Sequence, residues 1–265
     1  MTSMIEITQD DRRVATITLA RPDVHNAFNA ELIAELTAAL DEIAADPPRV
    51  LVLTGAGRSF SAGADLDWMR GMAAAGETEN RADAERLAAM FRKLDELPCP
   101  TIARVNGPAF GGGVGLIACC DIAIAAESAQ FGLTEVRLGL VPATIAPFVI
   151  LRIGIANARR YMLTGERFDA DHARHIGLIH ESCEPEELDD AFDQLVGALC
   201  SGGPVAVAEC KRLIRRIGDH DGGLAELDAI TADWIARLRV SEEGQEGLRA
   251  FLDKRKPEWV HEQEH

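Results

Sequence analysis

Short apolar runs alternate with stretches of helical period through the first two thirds of the chain. Val14-Ala15-Thr16-Ile17-Thr18-Leu19, Val50-Leu51-Val52-Leu53, Thr101-Ile102-Ala103-Arg104-Val105 and Ile122-Ala123-Ile124-Ala125 are four to six residues long and rich in Val and Ile. Bounded by Gly and Pro, they predict strands. Between them Leu32, Ile33, Leu36, Leu40 and Ile43 follow a candidate N-cap at Asn29, and Leu87, Met90, Phe91 and Leu94 recur at helical spacing within Asn80 to Leu97. Strands alternating with helices predict an α/β core. Beyond Leu178-Ile179-His180 the strand signals stop. Helices are expected at about Glu186–Leu199, Pro204–Ile217, Leu224–Leu238 and Ser241–Arg255, the last N-capped by Ser241 and ended before Pro257. With no Pro/Ser-rich linker and no fixed-period repeat, residues 1–200 read as the core. Residues 201–265 read as a helical region of the same folding unit, closing the core or reaching a neighbouring subunit.

Charge narrows the partners. Among 265 residues, 27 are basic and 43 acidic, a net charge of −16, so the average surface repels a phosphate polyanion and nucleic acid is excluded as a partner. No apolar run approaches the roughly 20 residues that span a bilayer. The start, Met1-Thr2-Ser3-Met4-Ile5-Glu6, lacks a basic segment followed by an apolar one, so a cytoplasmic protein without a membrane partner is expected. The six cysteines form no C-x-x-C pair and are expected as free thiols.

Several familiar motifs fail. Gly111-Gly112-Gly113-Val114-Gly115 would need Gly at 116 for a dinucleotide fingerprint, where Leu116 stands. Neither a phosphate loop nor G-x-S-x-G occurs. His172 and His175, near Asp169 and Asp171, lack a third ligand cluster at recognisable spacing and read as a solvated helix start, so no metal is expected.

Three segments share one purpose. Phe60-Ser61-Ala62-Gly63-Ala64-Asp65-Leu66 follows a strand and turn and leads into a helical stretch at Trp68-Met69-Arg70; its small side chains let backbone N–H groups face a ligand. Asn106-Gly107-Pro108-Ala109-Phe110-Gly111-Gly112-Gly113-Val114 is again strand, glycine turn and helix start, where unpaired N–H donors and the helix dipole favour negative charge. Donors from the two loops converging on one oxygen would make an oxyanion hole, worth on the order of 3 kcal/mol per donor. Phe131-Gly132-Leu133-Thr134-Glu135-Val136-Arg137-Leu138-Gly139 places a carboxylate among apolar neighbours, where desolvation raises its pKa toward a useful acid/base value. Glu135 is the candidate proton-transfer residue, with an ion pair to Arg137 as the plain alternative.

In this order and with these neighbours, the segments resemble the crotonase (enoyl-CoA hydratase/isomerase) superfamily. The resemblance extends from the first strand to Phe251-Leu252-Asp253-Lys254-Arg255-Lys256-Pro257. It implies an α/β spiral of ββα turns with a C-terminal helical trimerisation region, a homotrimer or dimer of trimers, an acyl-CoA substrate, and no cofactor beyond the coenzyme A of that substrate. It also implies an enolate hole from the backbone N–H groups of Ala64 and Gly112, with Ala62, Asp65 and Leu66 where the family's first loop contacts the adenine and pantetheine portion. Val24 and His25 transfer as backbone contacts. Asp23 replaces the Lys often found near the CoA phosphates, so their neutralisation is expected from Lys254 or Arg255 of an adjacent subunit.

Typical hydratases of the family carry two glutamates; the first aligns with Gly115, leaving Glu135 alone. Pro142-Ala143-Thr144-Ile145-Ala146-Pro147-Phe148, the context of Gly115, and Phe60 to Met69 look like the bacterial methylglutaconyl-CoA hydratase branch of leucine breakdown. The resemblance thus implies a hydratase of a branched 2-enoyl-CoA. A distal carboxylate on that chain would need a cation, for which Arg70, Arg81 and Arg92 are candidates alongside a plain surface role. A single-glutamate isomerase and a non-catalytic acyl-CoA-binding subunit are the alternatives.

Overall fold

The computed structural model describes residues 3–260; residues 1, 2 and 261–265, and with them both outer ends of the regions expected above, lie outside the described residues. The chain opens with an antiparallel hairpin of β1 (Ile5–Gln9) and β2 (Val14–Leu19). Asp10 closes its turn by accepting from the amides of Arg12 and Val14, each at 2.9 Å. There follow α1 (Ala30–Ala45), β3 (Val50–Gly55), α2 (Leu66–Ala74), α3 (Glu77–Asp95), β4 (Thr101–Val105), β5 (Ala109–Phe110), α4 (Gly112–Cys119), β6 (Ile122–Ala126), β7 (Gln130–Gly132), α5 (Ala146–Thr164), β8 (Arg167–Asp169), α6 (Ala170–His175) and β9 (Glu181–Cys183). Four helices complete the chain: α7 (Leu188–Ser201), α8 (Pro204–Gly218), α9 (Leu224–Arg239) and α10 (Glu242–Leu252).

One sheet runs β1-β2-β3-β4-β6-β9, parallel from β2 onward. Both faces of its centre are covered, which is why these strands read as continuous apolar runs. Ile17, Leu19, Leu51, Leu53, Ala103 and Val105 point into the main core with α1, α3 and α4. Val14, Val50, Val52 and Ile102 point the other way, onto Val196 of α7. A smaller sheet, β5-β7-β8, crosses the end of this core.

The four expected strands form. The expectation that strands stop beyond His180 does not hold, because β9 pairs in parallel with β6. Its three residues, Glu181-Ser182-Cys183, sit at a sheet edge and have no apolar alternation to announce them. Asn29 and Ser241 cap α1 and α10 as expected, accepting from the amides of Leu32 and Gly244. α10 stops at Leu252, short of Arg255, as Lys254 turns to φ 56°.

The last three helices are lightly packed. α9 has no buried residue, and Leu224, Val240, Phe251 and Leu252 are exposed. Polar ties hold this layer to the core: Arg49 donates to the carbonyls of Cys200 and Gly202 at 2.8 Å and of Trp259 at 3.2 Å, and Lys211 Nζ lies 2.7 Å from Asp121 Oδ2. Among the described residues no single helix is long and apolar enough to cross a membrane.

Candidate active site

The first wall is a turn locked by one asparagine. His25 and Asn26 both adopt left-handed φ, 55° and 56°, a conformation Asn tolerates better than most residues. The buried Asn26 side chain accepts from the amide of Arg21 at 2.9 Å and donates to the carbonyls of Ala56 (2.9 Å) and Ser59 (2.8 Å). This fixes the turn against the loop that follows β3. His25 Nδ1 meets Ser59 Oγ at 2.9 Å, and its carbonyl accepts from Ala62 N at 2.9 Å.

That loop is held by two isolated parallel bridges, Phe28 to Ala64 and Ser61 to Ala109. Phe28 donates to Gly63 O (2.6 Å) and accepts from Asp65 N (2.8 Å). In a parallel pairing of this kind the bonds use the residues on either side of Ala64, so the amide of Ala64 points away from Phe28. Ser61 in turn accepts from Phe110 N at 2.9 Å and ties the loop to β5. The second glycine segment therefore lies alongside the first. A methyl built on Gly63 would stand 3.5 Å from Gly112 N. Among the described residues neither Ala64 N nor Gly112 N donates a hydrogen bond.

Asp65 caps α2, accepting on Oδ1 from the amides of Asp67 (2.8 Å) and Trp68 (3.3 Å), while Oδ2 pairs with Arg21 at 2.9 Å. Burial raises its pKa, but the Arg21 guanidinium and the two amides outweigh that and hold it below the usual carboxylate value. Its backbone N–H and carbonyl bond Phe28 and Met69. Every polar group of Asp65 is thus engaged within the chain. Val24 and Leu66 are exposed on the rim, at 41% and 71%.

Glu135 arrives from the small sheet. β7 pairs with β5, Gly111 N donates to Gly132 O at 2.9 Å, and a 3-10 turn at Glu135–Leu138 follows. Gly111 has φ +49°, and a methyl there would stand 2.9 Å from Glu135 Oε1. The carboxylate thus lies against the backbone that opens α4. Its Oε2 is buried and, among the described residues, has no hydrogen-bond partner. No ion pair to Arg137 forms. Burial pushes the Glu135 carboxyl above its ordinary value, with its own backbone amide drawing it partly back.

α4 turns its glycines onto apolar groups. A methyl on Gly112 would meet Phe28 Cε2 at 2.7 Å, and one on Gly115 would meet Ile145 Cγ2 at 2.3 Å and Phe91 Cε1 at 3.0 Å. Phe28, Phe91 and Phe148 form a row with centroids 6.2 and 6.3 Å apart. The Gly115 position is therefore packed with hydrocarbon, and no second carboxylate fits there.

Residues 9–262 match the enoyl-CoA hydratase/isomerase family. The chain belongs to that family. A solved enoyl-CoA hydratase from Shewanella pealeana is 46% identical with a TM-score of 0.91, covering 97% of this chain and 96% of that one. The crotonyl-CoA hydratase of Syntrophomonas wolfei is 32% identical over 260 residues, 96% of this chain and 97% of that protein. The short-chain-enoyl-CoA hydratase of Clostridium acetobutylicum is 34% identical over 258 residues, 95% and 96% of the two. The α/β crotonase fold with C-terminal helices expected from the sequence is the fold of this family member.

Sequence reasoning passed over Asn26, whose side chain locks the turn, and Arg21, whose partner Asp65 lies 44 residues away. It also passed over Trp68, whose indole N–H is buried without a partner among the described residues. Of the cations suggested for a distal carboxylate, Arg70 pairs with Asp67 and Arg81 with Glu77, and these four and Arg92 are exposed. Arg255, suggested for CoA phosphates, is paired with Glu246 at 2.6 Å. His172 contacts the Tyr161 hydroxyl and donates its amide to Asp169, while Asp171 pairs with Arg174. Among the described residues no group of three or more His, Cys, Asp or Glu is placed to hold a metal.

Proposed function

We propose that this chain is an enoyl-CoA hydratase in which Glu135 is the only acid/base. Ala64 N–H and Gly112 N–H form the enolate hole, and 3-methylglutaconyl-CoA or a similar branched thioester is the substrate. The observation that carries the reading is the buried, unpartnered Oε2 of Glu135 beside the backbone that opens α4. Glu135 removes a proton from water as the water oxygen adds to the β carbon. The thioester oxygen takes the charge and is held by the two amides. Glu135 then returns the proton to the α carbon, so the sum is one water added. A carboxylate raised by burial suits both halves: it is a stronger base than an exposed glutamate and its acid form is still a competent donor. The relatives named as hydratases support this direction.

Val24, His25, Ala62 and Leu66 form the rim that meets the CoA portion, and coenzyme A enters only as part of the substrate. The exposed Leu224, Val240, Phe251 and Leu252 fit a homotrimer or dimer of trimers, in which neighbouring subunits cover them.

One observation favours a second reading. Ile145 and Phe91 fill the place of the family's other glutamate, which suits an isomerase in which Glu135 carries a proton from the α to the γ carbon. Loss of the conjugated enoyl-thioester absorbance, measured with 3-methylglutaconyl-CoA and with crotonyl-CoA and followed by product mass, separates the two. A gain of one water, faster on the branched acid, is expected. No gain on either thioester overturns the hydratase.

A further inference from the structure

Among the described residues three buried polar side-chain atoms lack a hydrogen-bond partner: Trp68 Nε1, Glu135 Oε2 and Trp234 Nε1. A buried donor without an acceptor is costly, and a native protein that keeps one calls for a reason. Trp234 lies in the outer helical layer, where the Arg237 guanidinium sits over its ring at 5.2 Å. Glu135 is accounted for by the chemistry above. Trp68 is left.

Its place is defined from three sides. Trp68 stands in the first turn of α2, four residues beyond the free amide of Ala64, and the Asp65 carboxylate that accepts from its backbone N–H is itself fixed by Arg21. Its ring packs against the core cluster that holds Phe28, Phe91 and Ile145, the groups beneath the glycine face of α4. No residue of α2 is fully buried, and Leu66, Asp67 and Arg70 are exposed, so Trp68, Met69 and Met72 make up its half-buried inner face. The indole N–H on this face needs an acceptor that the described residues do not supply.

We propose that the acyl chain of a thioester held between Ala64 and Gly112 follows the inner face of α2 and that Trp68 reads its far end, its indole N–H donating to a distal oxygen, so that the preferred substrates are CoA thioesters whose acyl group carries a carboxylate or carbonyl oxygen at that end. The inference rests on the acyl-CoA reading of the site and adds to it the group that selects the chain. A neutral donor is the form this recognition takes here, because of the three candidate cations Arg70 and Arg81 pair with Asp67 and Glu77 at the surface and Arg92 is exposed. A site built to satisfy a substrate oxygen discriminates strongly against a chain lacking it, since the analogue leaves the buried N–H unpaired.

The test uses binding and turnover together. Calorimetry with two saturated thioesters that cannot turn over, glutaryl-CoA and butyryl-CoA, should show the wild-type protein binding glutaryl-CoA about 10-fold or more tightly. Trp68→Phe removes the donor together with part of the ring and keeps an aromatic side chain at the site. It should abolish that preference and lower kcat/KM for 3-methylglutaconyl-CoA by about 10- to 100-fold, several times more than any loss the smaller ring causes on crotonyl-CoA. Equal wild-type affinity for the two saturated thioesters overturns the proposal whatever the variant does, as does an equal loss on both substrates in Trp68→Phe. Absence of water addition by the wild type would remove the hydratase reading alone, because the binding comparison still decides the role of Trp68.

Discussion

α4 and α2 each begin beside one of the two free amides, yet seven of the eight residues of α4 are buried and none of the nine in α2 is. α4 reads Gly-Gly-Val-Gly-Leu-Ile-Ala-Cys, without a polar face, and a helix apolar all round belongs inside. It sits against α3 and α5, its glycines pressed onto Phe28, Phe91 and Ile145. α2 reads Leu-Asp-Trp-Met-Arg-Gly-Met-Ala-Ala and is held chiefly at its N-terminus, by Asp65. One amide of the proposed hole is thereby fixed in a close-packed core, while the other borders a compliant wall. Few buried contacts mean a low free energy of local opening, so in the proposed site α2 is the side that would adjust to an acyl chain and α4 the side that would set where the oxyanion forms.

The largest expected effect falls where the rigid side would carry the proposed chemistry. Glu135→Gln should lower kcat by about 10³-fold or more while CoA-ester binding survives; turnover near wild type would show that the base lies elsewhere. The wild-type rate of water addition should fall as pH drops through the raised pKa of Glu135, because the base must be ionised. The stability sign is opposite. With a folded-state pKa above the unfolded value, the native state holds more protons than the unfolded chain between the two, so ionising Glu135 removes stability as pH rises. At neutral pH Glu135→Gln should therefore unfold at the same temperature as the wild type or higher, read by calorimetry. A clear drop would mean that the carboxylate has a stabilising partner.

Next in size is the packing of α4. Gly115→Ala puts a methyl within 2.3 Å of Ile145 Cγ2, and overpacking of this kind costs about 1–3 kcal/mol. Combined with Ile145→Ala, which deletes the clashing Cγ2, it should cost less than the sum of the two single losses, because the new methyl enters space the shortened side chain has left. Equilibrium denaturation of the two variants checks this, and additive losses would place the clash elsewhere.

How much of this was legible in the sequence follows the same division. The strands of the large sheet and the order of the glycine segments could be read because both are local: a continuous apolar run declares a two-sided strand, and Gly111 at φ +49° declares a turn. β5, β7, β8 and β9 are two or three residues long, too short for a period to show. That Gly115 faces Ile145 depends on a contact across 30 positions, and a gap in the aligned chemistry gives no sign of what fills it. The Arg21–Asp65 pair and the orphaned Trp68 N–H are equally non-local. Lacking that information, the sequence reading gave Asp65 a place on the CoA-contacting loop but not its cap on α2 or its pairing with Arg21.

On the compliant side Asp65→Ala should cost about 1–2 kcal/mol, by loss of a helix cap together with a partly buried ion pair. Asp65 is held below the usual carboxylate pKa, so its contribution is present above the unfolded-state value and is lost as pH falls through the folded one. The difference in stability between wild type and variant should accordingly shrink in acid. If α2 borders the acyl chain as proposed, KM should rise more than kcat falls; an unchanged KM would detach α2 from the substrate.

The smallest effect is the sharpest contrast, because it makes the same substitution on the two helices and expects opposite signs. Gly71 lies inside α2 with no atom within 4 Å of where a methyl would stand, and its φ is not in the left-handed region. Gly71→Ala removes backbone freedom from the unfolded chain and meets nothing in the folded one, so it should stabilise by about 0.5–1 kcal/mol where Gly115→Ala destabilises. If compliance of α2 matters to turnover, this gain should be accompanied by a modest fall in kcat on the bulkier, branched thioester and by little change on crotonyl-CoA. Denaturation and steady-state rates on both thioesters decide it. A destabilised Gly71→Ala would mean that α2 is packed against something the isolated chain does not contain, and the contrast between a fixed and a yielding half of the hole would then fail.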